Sequence, residues 1–183
     1  MEKNELLTIK QVHELYDVTV WDNCALQGYL TDGKKGSVND SLKFAEFFID
    51  KIPIYGCFIP ELVMKEYTFR KNLEWKLNEK KVNLIKKFQS EERVLCVQDF
   101  PIGPKVKKGA QKLEENYGIN KTDWRVCAWA IELSKFFDSA AIISNDIRDL
   151  AKLWHGLACK GIIDKENLGF FLRKELDLYE RFV

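Results

Sequence analysis

The sequence predicts an α/β domain built on a mainly parallel sheet, and three observations lead there. Short β-branched or aromatic runs alternate with longer stretches whose apolar residues recur every three or four positions. Strands separated by helices imply βαβ units. Acidic residues also stand just past two of the apolar runs, Asp22 after Val18–Trp21 and Asp146 shortly after 140–143. Open parallel sheets build their sites outside the carboxyl ends of such strands.

The elements follow in order. Residues 8–16 place Ile9, Val12 and Tyr16 at helical spacing, and Val18–Trp21 reads as a buried strand. A short helix begins near Asn23, and residues 31–39 form a loop. Asn39 or Asp40 then caps a helix whose apolar face carries Leu42, Ala45, Phe48, Ile49 and Ile52. A second strand fits 54–59, with Pro60 in the first turn of a helical stretch that runs to about Phe88. A third strand fits 93–97. After a Pro/Gly loop come helices near 105–117 and 123–137, then a fourth strand at 140–143. The C-terminal quarter reads as mostly helical, with Ile162 and Ile163 as the candidate for a fifth strand.

The chain has 183 residues, 46% of them hydrophobic, with twelve Phe, six Tyr and five Trp to fill a core. That suits one domain over 1–183, with its core at about 17–155 and a helical C-terminal extension. There is no Gly/Ser-rich linker and no solenoid-like repeat. The charged start, Met1-Glu2-Lys3-Asn4-Glu5, is unlike a secretory signal, and no segment approaches the roughly 20 apolar residues of a membrane helix. The expectation is a soluble, cytoplasmic protein without a membrane partner. The five cysteines stand far apart without a C-x-x-C pair, so they read as reduced, small apolar residues.

Net charge is +1 but unevenly spread. Residues 1–60 carry 6 basic and 9 acidic side chains (−3), 61–122 carry 14 and 9 (+5), and 123–183 carry 9 and 10 (−1). The basic middle third suits a polyanion, although from charge alone a solvated helix face is the simpler reading. Its lysines include Lys76 and Lys80, which share a helix face, and Lys105, Lys107 and Lys108 after the third strand.

Asp22 and Asp146 leave two different strand ends, and Asp149 lies one helical turn beyond Asp146. Helix capping alone would explain any one of them. Glu66 falls on a helical stripe with Leu62, Phe69 and Leu73, where a carboxylate needs a partner unless it reaches solvent from the helix edge. Asp123 opens an apolar helix containing Trp124, Cys127, Ala128 and Ile131, and either it or Thr122 suits the N-cap. Four or five carboxylates at one sheet edge repel one another without cations. Hard oxygen ligands suit Mg²⁺ or Mn²⁺, ions that activate water for displacement at phosphorus. That chemistry needs no histidine, and His13 and His155 read as ordinary helix residues.

These segments resemble the PIN-domain family. Residues 18–24 look like its opening strand and first acidic site, and 59–66 like its second strand and glutamate-bearing helix. Lys121-Thr122-Asp123 is similar to its third acidic site, and 143–150 to the segment with its fourth acid and often a fifth. Order and spacing match over roughly residues 17–155. The resemblance implies a three-layer α/β/α sandwich with a central parallel sheet, and a metal-dependent endoribonuclease that hydrolyses single-stranded or loop RNA. By position, Asp22, Glu66, Asp123 and Asp146 would be the catalytic, metal-holding acids, with Asp149 a further ligand and Ser144 at a position where a hydroxyl is common. Lys105, Lys107, Lys108, Lys76 and Lys80 would hold RNA. Cys24 departs from the family, which usually carries Asn or Ser two residues after the first acid. The resemblance leaves room for a homodimer and for an inhibitory protein partner.

Two other readings compete. A haloacid-dehalogenase-type phosphatase also starts with Asp after its first strand, but wants a second Asp two residues later, where Cys24 stands. A non-catalytic RNA- or protein-binding scaffold of the same fold would have no need of four acids. No G-x-x-x-x-G-K-[ST] run occurs, which argues against a P-loop enzyme.

Overall fold

A computed structural model of the chain describes residues 5–26, 47, 56–68, 83, 95–97, 104, 108, 111–112, 115 and 121–182. Leu6–Leu7 forms a two-residue strand, β1, and Thr8 caps helix α1, Ile9–Leu15. The cap is reciprocal. Gln11 N–H donates to Thr8 Oγ1 at 3.3 Å and Thr8 N–H donates to Gln11 Oε1 at 2.8 Å, satisfying two otherwise orphaned donors. Strand β2, Val18–Trp21, is buried along its whole length, as an interior strand of a parallel sheet must be. Asp22 and then helix α2, Asn23–Leu26, follow at once.

Strand β3, Cys57–Pro60, passes directly into helix α3, Glu61–Thr68. Pro60 therefore ends the strand rather than starting the helix. At a strand end its missing N–H costs the ladder little. Strand β4 is Leu95–Val97. Helix α4, Lys121–Phe136, starts two residues before Asp123, so Thr122 and Asp123 sit inside its first turn instead of capping it. Asp138 follows the helix in the left-handed region, at φ 68°, a conformation Asp tolerates at a helix end. Strand β5, Ala140–Ser144, is wholly buried, and helix α5 spans Leu150–Cys159.

The largest correction lies beyond α5. The chain does not continue as a helical extension but forms strands β6, Leu168–Glu175, and β7, Leu178–Arg181. The core therefore extends well past residue 155, through Leu168, Phe170, Phe171, Leu172 and Tyr179. Ile162 and Ile163 lie in the turn after α5 and are not a strand. Gly169 explains why β6 reads poorly from sequence, since glycine weakens strand propensity. It is required there because a Cβ would stand 2.6 Å from Cζ of Tyr16.

The strands form one mixed, mostly parallel sheet in the order β1-β7-β6-β5-β2-β3-β4. The run from β6 to β4 is parallel, while β7 and the short β1 add antiparallel at the far edge. Helix α4 packs on β5, β2, β3 and β6 and against α5, and α3 packs on α2 and α4. Adjacent residues of β6 point to opposite sides. Phe170 meets Trp154 of α5 with ring centroids 5.8 Å apart, and Phe171 meets Tyr16 edge-on at 5.7 Å. Different elements thus cover the two faces of β6. Burying side chains of this size stabilises the fold by about 1.5–3 kcal/mol each.

Cys24, Cys57, Cys127 and Cys159 are free thiols. Among the described residues no helix is long and apolar enough to cross a membrane. The expected helices at 39–52 and 105–117, and the stretch from 69 to 88, lie outside the described residues. The exceptions are Phe47, Asn83, Lys108, Gln111, Lys112 and Glu115, each of which is helical, as is Pro104 just before the second range.

Candidate metal centre

Pairing between β2 and β5 brings the acids together. Trp21 lies beside Ile143 in register, and Asp22 N–H continues the ladder by donating to Ile143 O at 3.0 Å. Asp22 is consequently held beside the 144–146 turn that leaves β5. Helix α4 crosses both strands and points its first turn, with Thr122 and Asp123, at the same carboxyl edge. Helix α3 brings Glu66 from the next strand, and Asp149 precedes α5.

Each acid has its own surroundings. Asp22 is 5% exposed, and its Oδ2 accepts hydrogens from Cys24 Sγ at 2.6 Å and Ser144 Oγ at 2.9 Å. Burial raises its pKa, the Cys24, Ser144 and Asn23 hydrogen bonds oppose that, and the Asp146 charge adds to it. Asp146 Oδ1 accepts from Arg148 N–H at 3.0 Å and Asp149 N–H at 2.9 Å, so this acid also shapes the turn into α5. Asp149 occupies the N-cap position without making a capping bond through its side chain. Glu66 is half-buried, and its carboxylate is gripped by the Thr122 hydroxyl and, at 3.4 Å, by the Asn23 amide.

Asp123, Asp146 and Asp149 can each offer one carboxylate oxygen so that all three lie within 4.8 Å of one another. Two oxygens on opposite sides of an octahedral Mg²⁺ stand about 4.2 Å apart, twice a typical Mg–O bond. The trio is therefore close to the size of a single-ion site, and its donors are of the hard type such an ion prefers. Asp123 records the crowding. Burial, then the charges of Asp22, Asp146, Asp149 and Glu66, push its pKa up to about 8. A nearby cation would reverse the charge part of that rise.

The structure thus gathers all five sequence-derived acids at one edge, but in two groups. Asp123, Asp146 and Asp149 form the tight cluster, while Asp22 and Glu66 flank it within electrostatic reach. Glu66 does not lie in an apolar core, because its stripe neighbour Leu62 is only half-buried. Phe69 and Leu73 lie outside the described residues, as do Lys76, Lys80, Lys105 and Lys107. Lys108 is exposed on a helical residue. Sequence reasoning gave no role to Asn23 or Asn145 and offered Thr122 only as a cap. The sole available signal was that each sits directly beside an acid, between an acid and a second polar residue or at a helix start.

Comparison with protein-family models, with curated proteins and with solved structures gives no match for this chain.

Proposed function

We propose that the protein is a divalent-metal-dependent endoribonuclease of PIN-like, three-layer α/β/α architecture. The observation that carries this reading is the cluster of Asp123, Asp146 and Asp149 within 4.8 Å, flanked by Asp22 and Glu66 at the carboxyl edge of a mostly parallel sheet. Covering of the two faces of β6 by α5 on one side and Tyr16 on the other supports the layering.

The three clustered aspartates would hold Mg²⁺ or Mn²⁺, with Asp22 and Glu66 lending charge. Such an ion supplies a more acidic water and neutralises charge developing on phosphate oxygens. The chain's own groups do the rest. Asp22, bonded by Cys24 and Ser144, stays fixed as an acceptor facing the cluster. Asp123, its pKa pushed up to about 8 by burial and neighbouring acids, holds a proton near neutral pH that it would give up to serve as a ligand. Thr122 and Asn23 orient the Glu66 carboxylate. Phosphates of a cytoplasmic single-stranded or loop RNA would be held by the basic middle third, through Lys76, Lys80, Lys105, Lys107 and Lys108.

The test is cleavage of single-stranded RNA with Mn²⁺. The expected products carry a 5′-phosphate and a 3′-hydroxyl. Excess EDTA should stop the reaction, and Asp22→Asn should slow it by at least about a hundredfold while leaving the circular dichroism spectrum intact. Undiminished cleavage in EDTA overturns the reading. Mn²⁺ binding without cleavage would point instead to a non-catalytic scaffold.

A further inference from the structure

The hydrogen bonds around Asp22 run in one direction. Asp22 Oδ2 takes a hydrogen from the Cys24 thiol at 2.6 Å and one from the Ser144 hydroxyl at 2.9 Å. Each of those groups has a single hydrogen and has thereby used it. Each then accepts from the next backbone amide in the turn. Asn145 N–H donates to Cys24 Sγ at 3.1 Å, and Asp146 N–H donates to Ser144 Oγ at 3.0 Å. Asn145 carries the chain one strand further, because its Oδ1 accepts from Arg173 N–H at 2.7 Å. The backbone of β6, the turn after β5 and the acid after β2 are therefore joined through two side chains, Asn145 and Cys24. Arg173 is 2% exposed and cannot move without disturbing the core, so the far end of the relay is anchored.

We infer that Cys24 and Asn145 are positioning residues that hold the flanking acid Asp22 against the 144–146 turn, and through that turn fix Asp146 in the metal cluster, with the thiol as the hub. The thiol suits this place because it donates to a carboxylate and accepts from an amide at the same time. Asn145 acts through Cys24 and through the path of the turn, and needs no contact with the ion. Partners behind metal ligands generally set affinity by about ten- to a hundredfold, which makes ion affinity the proper readout.

The inference rests on the metal reading of the acid cluster but is tested without RNA. The full chain is stripped with EDTA, exchanged into buffer, and titrated with Mn²⁺ while free Mn²⁺ is followed by electron paramagnetic resonance. Cys24→Ala and Asn145→Ala should each weaken Mn²⁺ binding by about tenfold. Cys24→Ser, which restores a donor and acceptor, should stay within about threefold of wild type. The double alanine variant should bind about as weakly as either single one, because both break one relay. If the alanine variants do not fold, Cys24→Val and Asn145→Leu fill the space without the hydrogen bonds and carry the same expectation. Unchanged Mn²⁺ affinity with a lowered melting temperature would overturn the inference, since that is a structural role alone. Additive losses in the double variant, or a wild type that binds no Mn²⁺, would overturn it too. A wild type that binds Mn²⁺ through this relay and cuts no RNA would sink the nuclease reading and leave the relay standing.

Discussion

At the amino edge of the sheet, Asp17 accepts hydrogens from Ser139 N–H at 3.1 Å and from Ser139 Oγ at 2.7 Å, and its own N–H donates to that hydroxyl at 3.0 Å. Nearby, His13 packs against Gly56, where a Cβ would stand 3.2 Å from the imidazole Cε1, and its Nε2 lies 3.4 Å from Thr19 Oγ1. Burial holds this histidine neutral, with its pKa lowered to about 4. At the carboxyl edge the same strands end in carboxylates, and burial, followed by the charges of its acidic neighbours, pushes the pKa of Asp123 up to about 8. One edge pairs or neutralises its polar groups, and the other accumulates like charge. Among the described residues, the amino edge thus leaves no charge uncompensated at Asp17 or His13. The carboxyl edge sacrifices stability in a manner characteristic of sites that bind something.

The contrast can be broken by titration, because the two edges respond to pH with opposite sign. His13 has a folded pKa below its unfolded value of 6.5, so its contribution is fully present above that pH and is lost as pH falls toward about 4. Urea unfolding across this window should show a loss of about 3 kcal/mol, absent in His13→Gln. A His13→Gln variant with the same acid-side slope as wild type would show that another group titrates there.

Asp123 works the other way and with a somewhat smaller effect. Its folded pKa lies above the unfolded 3.8, so the native state holds the proton more tightly, and the metal-free protein loses stability as pH rises from about 4 to about 8. In EDTA at pH 8, Asp123→Asn should be more stable than wild type by about 2 kcal/mol, after allowance for screening by solvent. At pH 4 the two should coincide. Saturating Mn²⁺ should invert the order by stabilising only the wild type. A variant less stable at pH 8 would make Asp123 a structural acid and erase the difference between the edges.

The smallest effect belongs to the paired acid. Asp17→Ala removes two accepted hydrogen bonds in an exposed place and should cost about 1 kcal/mol at neutral pH, with no change in Mn²⁺ affinity. Any Mn²⁺ dependence of that loss would mean that the two edges communicate.

Legibility in the sequence followed the physics of each region. The strands β2, β3 and β5 stood out because they are buried on both faces and so read as apolar runs. Asp22 and Asp146 were visible for the same reason, as the first acids past such runs. β6 was hidden by Gly169, whose purpose lies in a ring packed against it from α1's end, a contact no local pattern announces. β7 was hidden by alternation with Glu180 and Arg181, which suits a strand with one solvated side as readily as a helix. The split of the acids into a tight trio and two flanking members depends on tertiary placement, as does the Asn145 link to β6. Neither spacing nor composition carries that information.

The pairing of β1 with β7 has a consequence in time. Leu6 lies beside Glu180 and Leu7 beside Tyr179, so the first strand of the sheet finds its partner only among nearly the last residues described. On a ribosome, where synthesis proceeds at about 5–20 residues per second, β1 must wait roughly 10–35 seconds for this neighbour. Ile9 waits with it, since its N–H is received by Asp177 Oδ1 at 2.9 Å. Closing so long a loop is slow. The β6–β7 hairpin is thus the step that completes the sheet, and a nascent chain stalled before it would leave the partner edges of β5 and β1 open to any other strand that passes.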